Sequence, residues 1–231
     1  MTAKAAPMRV DYIIGLDLGQ GPDYSAVCVV KRMQARPEPP SHPENVRRNP
    51  PRPRVGKATY AVNYLHRYPL KTRYNEVVED VVRLKASKPL NGKATVVIDR
   101  TGVGKSVFDM FLAAGLRPIG VWVHGGAKER RDADGWNVPK RNLVGVMQVL
   151  SENKRLKIVP TLPHAPLLIE ELKSFQAKIS ATGHDTYGAT PDDWRTSPND
   201  DLVLSVAFAC WWGERGWRPP LPQVRGGIWR G

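Results

Sequence analysis

The chain has 231 residues, 41% of them hydrophobic, enough to bury one substantial core with at most a small appendage. Thirty-five Lys and Arg against 22 Asp and Glu leave a net charge of +13, which favours a polyanionic partner: nucleic acid first, an anionic membrane surface second. Nowhere are there 18 uninterrupted apolar residues, and MTAKAAPMRV at the N-terminus lacks a long apolar stretch, so neither a spanning helix nor a secretory leader is expected and the cytoplasm is the expected location.

In chain order, residues 1–10 read as a flexible N-terminus. DYIIGLDLG (11–19) is a β-branched apolar run that ends in Asp-Leu-Gly, and SAVCVVKR (25–32) is a second, with the turn signal GQGPD between them. Cys28 lies in that second run and Cys210 in VAFACWW, so both read as buried, reduced thiols. Residues 34–55 are rich in Pro and Arg and are expected to leave the sheet as a loop. Between Lys31 and Lys57 stand eight Lys or Arg against two Glu, a suitable composition for tracking a phosphate backbone, or for a solvated loop with no partner.

The alternation in 57–69 predicts a third strand, and the apolar spacing in 72–87 predicts a helix. ATVVID (94–99) reads as a buried strand, SVFDMFLAAG (106–115) as a helix stopped by Gly115, and PIGVWVH (118–124) as a further strand. A helix is expected after Pro139 in the 136–154 stretch, an amphipathic helix over 164–179, a small hairpin at 180–189 and an apolar helix over 200–212 opened by acidic residues. Residues 214–231, rich in Gly, Pro and Arg, read as a flexible basic tail, leaving 11–213 as the domain. Three strands able to pair antiparallel, followed by alternating helices and strands, predict an α/β fold: a central mixed five-stranded sheet flanked by helices, with a small extra β-hairpin.

VIDRTGVGKSVFD (97–109) looks like a phosphate-binding loop and fails the count. A Walker A loop needs its first glycine five residues before the glycine of Gly-Lys-Ser, and that position is Asp99. A carboxylate there repels phosphate. Asp99 instead ends a buried strand, the edge at which α/β sheets bind ligands. Gly102 and Gly104 then supply a tight turn into the next helix. A turn-forming or helix-capping Asp is the plain alternative.

Asp17 also ends an apolar strand, and Asp200 and Asp201 open an apolar helix. Each alone is explained by a turn or a helix dipole. Gathered without bases, such carboxylates repel one another, and a cluster of them suits hard cations such as Mg2+ or Mn2+. Two such ions, roughly 3.5–4 Å apart, activate water and stabilise the leaving oxygen in phosphodiester hydrolysis. An acidic centre on a basic chain describes a nuclease. The five histidines lack metal-ligand spacing, so zinc is not expected.

The blocks GLDLGQGPDYSAVCVV, YLHRYPLKTRYNEVVEDV, VVIDRTGVGKSVFDMFLAAGL, WNVPKRNLVGVMQVL, KIVP, EELKSFQAKIS and NDDLVLSVAFACWW occur in an order that resembles the C-terminal nuclease domain of phage terminase large subunits. That resemblance runs from Gly15 to about Trp212 and implies a ribonuclease H-like fold, shared with Holliday-junction resolvases and retroviral integrases. It implies that Asp17, Asp99, Asp200 and Asp201 bind two Mg2+ or Mn2+ ions, Asp201 being the favoured member of its pair. It further implies that Asp17, Asp99 and Asp201 are catalytic, with Lys140 at the scissile phosphate or orienting a carboxylate. Asp23 is an outer-sphere group or a turn residue. Where many family members carry His before the Asp pair, this chain has Asn199.

The implied activity is two-metal endonucleolytic cleavage of DNA, leaving 5'-phosphate and 3'-hydroxyl ends, in phage or prophage DNA packaging or processing and thus in a bacterial host cytoplasm. DNA would be held by its backbone, without base reading. A full large subunit also carries a packaging ATPase, for which 231 residues from Met1 leave no room: the expectation is either a stand-alone nuclease, with a separate packaging ATPase, a small terminase or a portal protein as partner, or an isolated domain. The rival readings are a Holliday-junction-resolvase-like or other nucleic-acid-processing relative, a non-catalytic DNA-binding subunit, and an ATP-binding half of the actin or sugar-kinase type, to which GLDLG is similar.

Overall fold

The computed structural model describes residues 8–20, 23–35, 56–102, 104–133, 135–181 and 200–215. Strands β1 (Met8–Asp17), β2 (Ala26–Ala35) and β3 (Thr59–Arg67) form an antiparallel meander. Helix α1 (Tyr74–Ala86) leads to β4 (Thr95–Asp99), α2 (Gly104–Ala113) to β5 (Ile119–His124), and a short hairpin, β6 (Arg130–Asp132) with β7 (Gly135–Pro139), to α3 (Lys140–Glu152). Then follow β8 (Leu156–Ile158), α4 (Ala165–Ala181) and α5 (Asp201–Arg215).

All eight strands join one sheet in the order β6-β7-β5-β4-β1-β2-β3-β8. Its middle, β5-β4-β1-β2-β3, is the expected ribonuclease H-like mixed sheet, with β4 parallel to β1 and β5 parallel to β4. The sheet is wider than the five strands expected, because β6 and β7 extend one edge and β8 the other. These additions are three to five residues long, too short to leave an alternating signal.

Several boundaries move. β1 begins within the stretch expected to be flexible, β2 runs on to Ala35, and α5 continues to Arg215. Helix α2 starts at Gly104, so the turn before it rests on Gly102, whose φ of 102° suits glycine. Helix α4 reaches Ala181, into the first two residues of the expected 180–189 hairpin; the rest of that stretch, residues 36–55 of the Pro/Arg-rich loop, Asn199 and the tail beyond Arg215 lie outside the described residues.

The alternation of the strands sorts apolar side chains onto two faces. One face, with Ile14, Leu16, Val27, Val29, Val96 and Ile98, is covered by Val77, Val78 and Val81 of α1 and by Val107 and Phe111 of α2. The other, with Ile13, Ala26, Cys28, Val97, Val121 and Leu65, is covered by α3, α4 and above all α5. Every residue of α5 from Asp201 to Trp211 is buried, as befits a helix apolar on all sides that runs through the middle of a layer. Its approach depends on Gly15: a Cβ there would stand 2.0 Å from the Ser205 carbonyl oxygen.

The far end of α5 is tied down by polar contacts. The Tyr60 hydroxyl donates to Glu214 at 2.6 Å, and Arg155 donates to both Glu214 oxygens at 3.0 and 2.6 Å and through Nε to the Ala58 carbonyl at 2.6 Å. Among the described residues, no helix is long and apolar enough to cross a membrane.

Candidate active site

Asp17 and Asp99 are the last residues of two adjacent parallel strands, one step beyond the paired positions Leu16 and Ile98. Ile13 and Val97 belong to the core beneath α5, and the two-residue period of a strand places Asp17 and Asp99 on that same face. In the antiparallel direction Asp17 pairs with Ala26, which pairs with Arg67 at the end of β3. A row Arg67, Ala26, Asp17, Asp99 thus crosses four strands at one edge of the sheet. Ala26, fully buried, contributes only a methyl group between the guanidinium and the first carboxylate.

Above this row stands the N-terminus of α5. The Asp200 carbonyl accepts from the Leu204 N–H at 2.9 Å, which makes Asp200 the residue that opens the helix, and Asp201 is its first turn's acid. Asp201 is buried and held by both oxygens: Arg67 Nε donates to Oδ2 at 2.7 Å and Nη2 to Oδ1 at 2.9 Å. Nη2 also donates to Glu171 of α4, whose second oxygen accepts from the Val203 N–H at 3.0 Å. The Tyr24 ring lies against the same guanidinium, 5.0 Å from its centroid.

The electrostatics reflect this crowding. The Asp17 carboxyl is pushed well above its ordinary range by burial first, then by Asp99, Asp200, Asp201 and Glu171 in that order. It is nonetheless partly open to solvent, whereas Asp99 is buried. Glu171 is pushed up to about 7, by burial and then by the Asp201 charge, against the opposing effects of the Val203 amide and Arg67. Burial also raises Asp201, and Arg67 partly offsets it.

Asp99 does double duty. Its Oδ1 accepts from the Thr101 N–H at 2.7 Å, the turn-forming role of an Asp, and the turn is stitched to β5 by Arg100 N–H to the Val121 carbonyl and Val123 N–H to Thr101 Oγ1, both at 2.7 Å. These bonds fix the carboxylate at the sheet edge. Lys105, in the first turn of α2, is exposed.

Of the residues singled out in the sequence, Asp17, Asp99, Asp200 and Asp201 therefore meet electrostatically at one edge. Asp23 is a turn residue, its N–H bonded to the Gln20 carbonyl at 3.0 Å, and it also raises Asp201. Lys140 opens α3 at the same edge but two strands from Asp99, after Pro139, which pairs with His124 of β5. Of the Asp pair, Asp200 bears on Asp17 more strongly than the favoured Asp201 does. Arg67 and Glu171 were not anticipated. Glu171 was findable: with Ala165, Leu168 and Leu172 it lies on the buried stripe of α4, where a charged residue is out of place. Among the described residues, no three or more His, Cys, Asp or Glu are arranged to hold a metal ion as they stand.

The sheet order defines a ribonuclease H-like α/β fold. No protein-family profile matches the chain, and no curated protein matches it. Among solved structures it is similar to the large terminase nuclease from thermophilic phage G20c, with 18% identity and a TM-score of 0.49 over 87% of this chain and 81% of that one. It is also similar to the Mn-soaked human cytomegalovirus terminase nuclease domain, with 10% identity and a TM-score of 0.43 over 87% of this chain and 82% of that one.

Proposed function

We propose that this chain is a metal-dependent endonuclease that hydrolyses phosphodiester bonds in DNA, of the terminase-nuclease kind that its sequence blocks resemble. The observation that carries this is the side-by-side placing of Asp17 and Asp99 at the C-terminal ends of adjacent parallel strands, under the acidic N-terminus of α5.

The donor set suits the cation. The acids that converge offer carboxylates, the hard oxygen ligands of Mg2+ and Mn2+, and their mutual repulsion at Asp17 is what a divalent charge relieves. Asp17, Asp99, Asp200 and Asp201 would hold the ions, which when bound supply water activation and stabilisation of the leaving oxygen. Lys140, two strands from Asp99 at the same edge, would meet a non-bridging phosphate oxygen or orient a carboxylate. The +13 net charge would draw DNA by its backbone, with the Arg47–Arg54 stretch and the basic tail as grips. A packaging ATPase, small terminase or portal protein would then be a partner chain, and the host cytoplasm the place of action.

The test is nicking of supercoiled plasmid with Mn2+ by the wild-type chain and by Asp17→Asn and Asp99→Asn. Cleavage by the wild type and its loss in both variants are expected. Cleavage that survives both substitutions sinks the assignment, and salt-sensitive DNA retention without any Mn2+-stimulated cleavage marks a binding subunit instead.

A further inference from the structure

The acidic edge already contains a cation. Arg67 is 11% exposed in its side chain, and its partners are covered as well, Asp201 to 8% and Glu171 to 2%. The guanidinium presents Nε and Nη2 as a fork to both oxygens of Asp201, and the same Nη2 reaches Glu171. Such a bidentate, charge-assisted pairing fixes the plane of the carboxylate as well as its charge. Its position is set by the sheet. Arg67 ends β3 in the same cross-strand row as Asp17, and the methyl of Ala26 leaves room for the guanidinium above the strands.

Five carboxylates, Asp17, Asp99, Asp200, Asp201 and Glu171, act on one another at this edge. The Arg67 fork engages Asp201 and Glu171, and Asp17 feels the charges of the other four acids. Both oxygens of Asp201 are thereby committed to Arg67.

We propose that Arg67 is a resident cation of this centre, standing in for a divalent ion at Asp201 and Glu171, and that the ion binds in competition with it. The inference rests on the metal-dependent reading above. Arg67 is thereby a positioning residue: it keeps buried acids paired while the site is empty and sets the concentration of metal at which the site fills.

The experiment measures Mn2+ binding to the full chain at pH 8 by the electron paramagnetic resonance signal of the free ion, for wild type, Arg67→Met and Arg67→Lys, with melting in EDTA to establish that each is folded. Arg67→Met is expected to bind Mn2+ about tenfold or more tightly, since a unit charge a few ångströms away in a partly buried site is worth more than a factor of ten. Arg67→Lys, which loses the fork but keeps the charge that competes with the ion, is expected within about threefold of wild type. Equal or weaker binding by folded Arg67→Met overturns the proposal, because a guanidinium that only ties β3 to α4 and α5 gives that result. The wild type offers a second measurement that needs no substitution. During a Mg2+ titration the Arg67 Nε–H resonance is expected to shift as its bond to Asp201 is released, and an unmoved resonance while Mg2+ binds also overturns it. Absence of Mn2+ binding in wild type and Arg67→Met alike is a different failure: it removes the metal-dependent reading, and this inference with it.

Discussion

Glu171 makes the stability of the fold depend on pH in an unusual direction. Its carboxyl is pushed from an ordinary 4.5 up to about 7, with burial the largest cause and the neighbouring Asp201 charge the next. A raised carboxyl binds its proton more tightly in the folded chain than in the unfolded one, so stability is greatest below 4.5 and declines as pH rises to about 7. The difference amounts to on the order of 3 kcal/mol, or roughly 6–12 °C in melting temperature for a domain of this size. Asp17 and Asp201 are shifted the same way and add to the decline. The assay compares wild type with Glu171→Gln in EDTA between pH 4.5 and 8. Loss of the bond to Arg67 displaces the whole curve of the variant but not its slope, so the informative quantity is the difference between the two proteins as a function of pH. It should move in favour of the variant by on the order of 3 kcal/mol across that window. A difference that stays flat, or moves in favour of wild type, refutes the reasoning.

Other outcomes follow from the same geometry. Asp17→Asn, which removes the anion that burial and four neighbours disfavour, should raise the melting temperature in EDTA at pH 8, as read by circular dichroism. Gly15→Ala should lower stability by about 3 kcal/mol in urea titration, because its methyl would press on the Ser205 carbonyl and lift α5 off β1. Tyr60→Phe, which deletes the 2.6 Å bond to Glu214, should cost about 1.5 kcal/mol in the same titration. Cys28 and Cys210 should react with a thiol reagent only at the rate of unfolding, since both are buried and burial pushes Cys28 up to about 12.

The strands and acids that the sequence discloses share one property: each is marked by its immediate neighbours. Asp17 and Asp99 interrupt apolar runs, and Asp201 opens one, so their place at an edge follows from local pattern. Arg67 carries no such mark. A basic residue at a strand end reads as solvated, and what defines it here is a carboxylate 134 positions later in the chain. Glu171 is hidden beside Glu170, an exposed neighbour, and only its position on the α4 stripe separates the two. The strands β6, β7 and β8 are decided by the free edges they pair with rather than by their own composition, and no local pattern announces them. The Gly-Lys-Ser at 104–106 shows the converse, a conspicuous local motif at a helix start whose preceding residue of note is the aspartate that ends β4.

The tight seat of α5 on Gly15 also means that the last described helix completes the site. Until the chain from Asp201 onward has been made, β1 and β2 lack the helix that covers them, and Arg67 and Glu171 lack the carboxylate and the amide they share with it. The Arg67 fork to Asp201 and the Glu171 bond to the Val203 amide can therefore form only once α5 is present and seated.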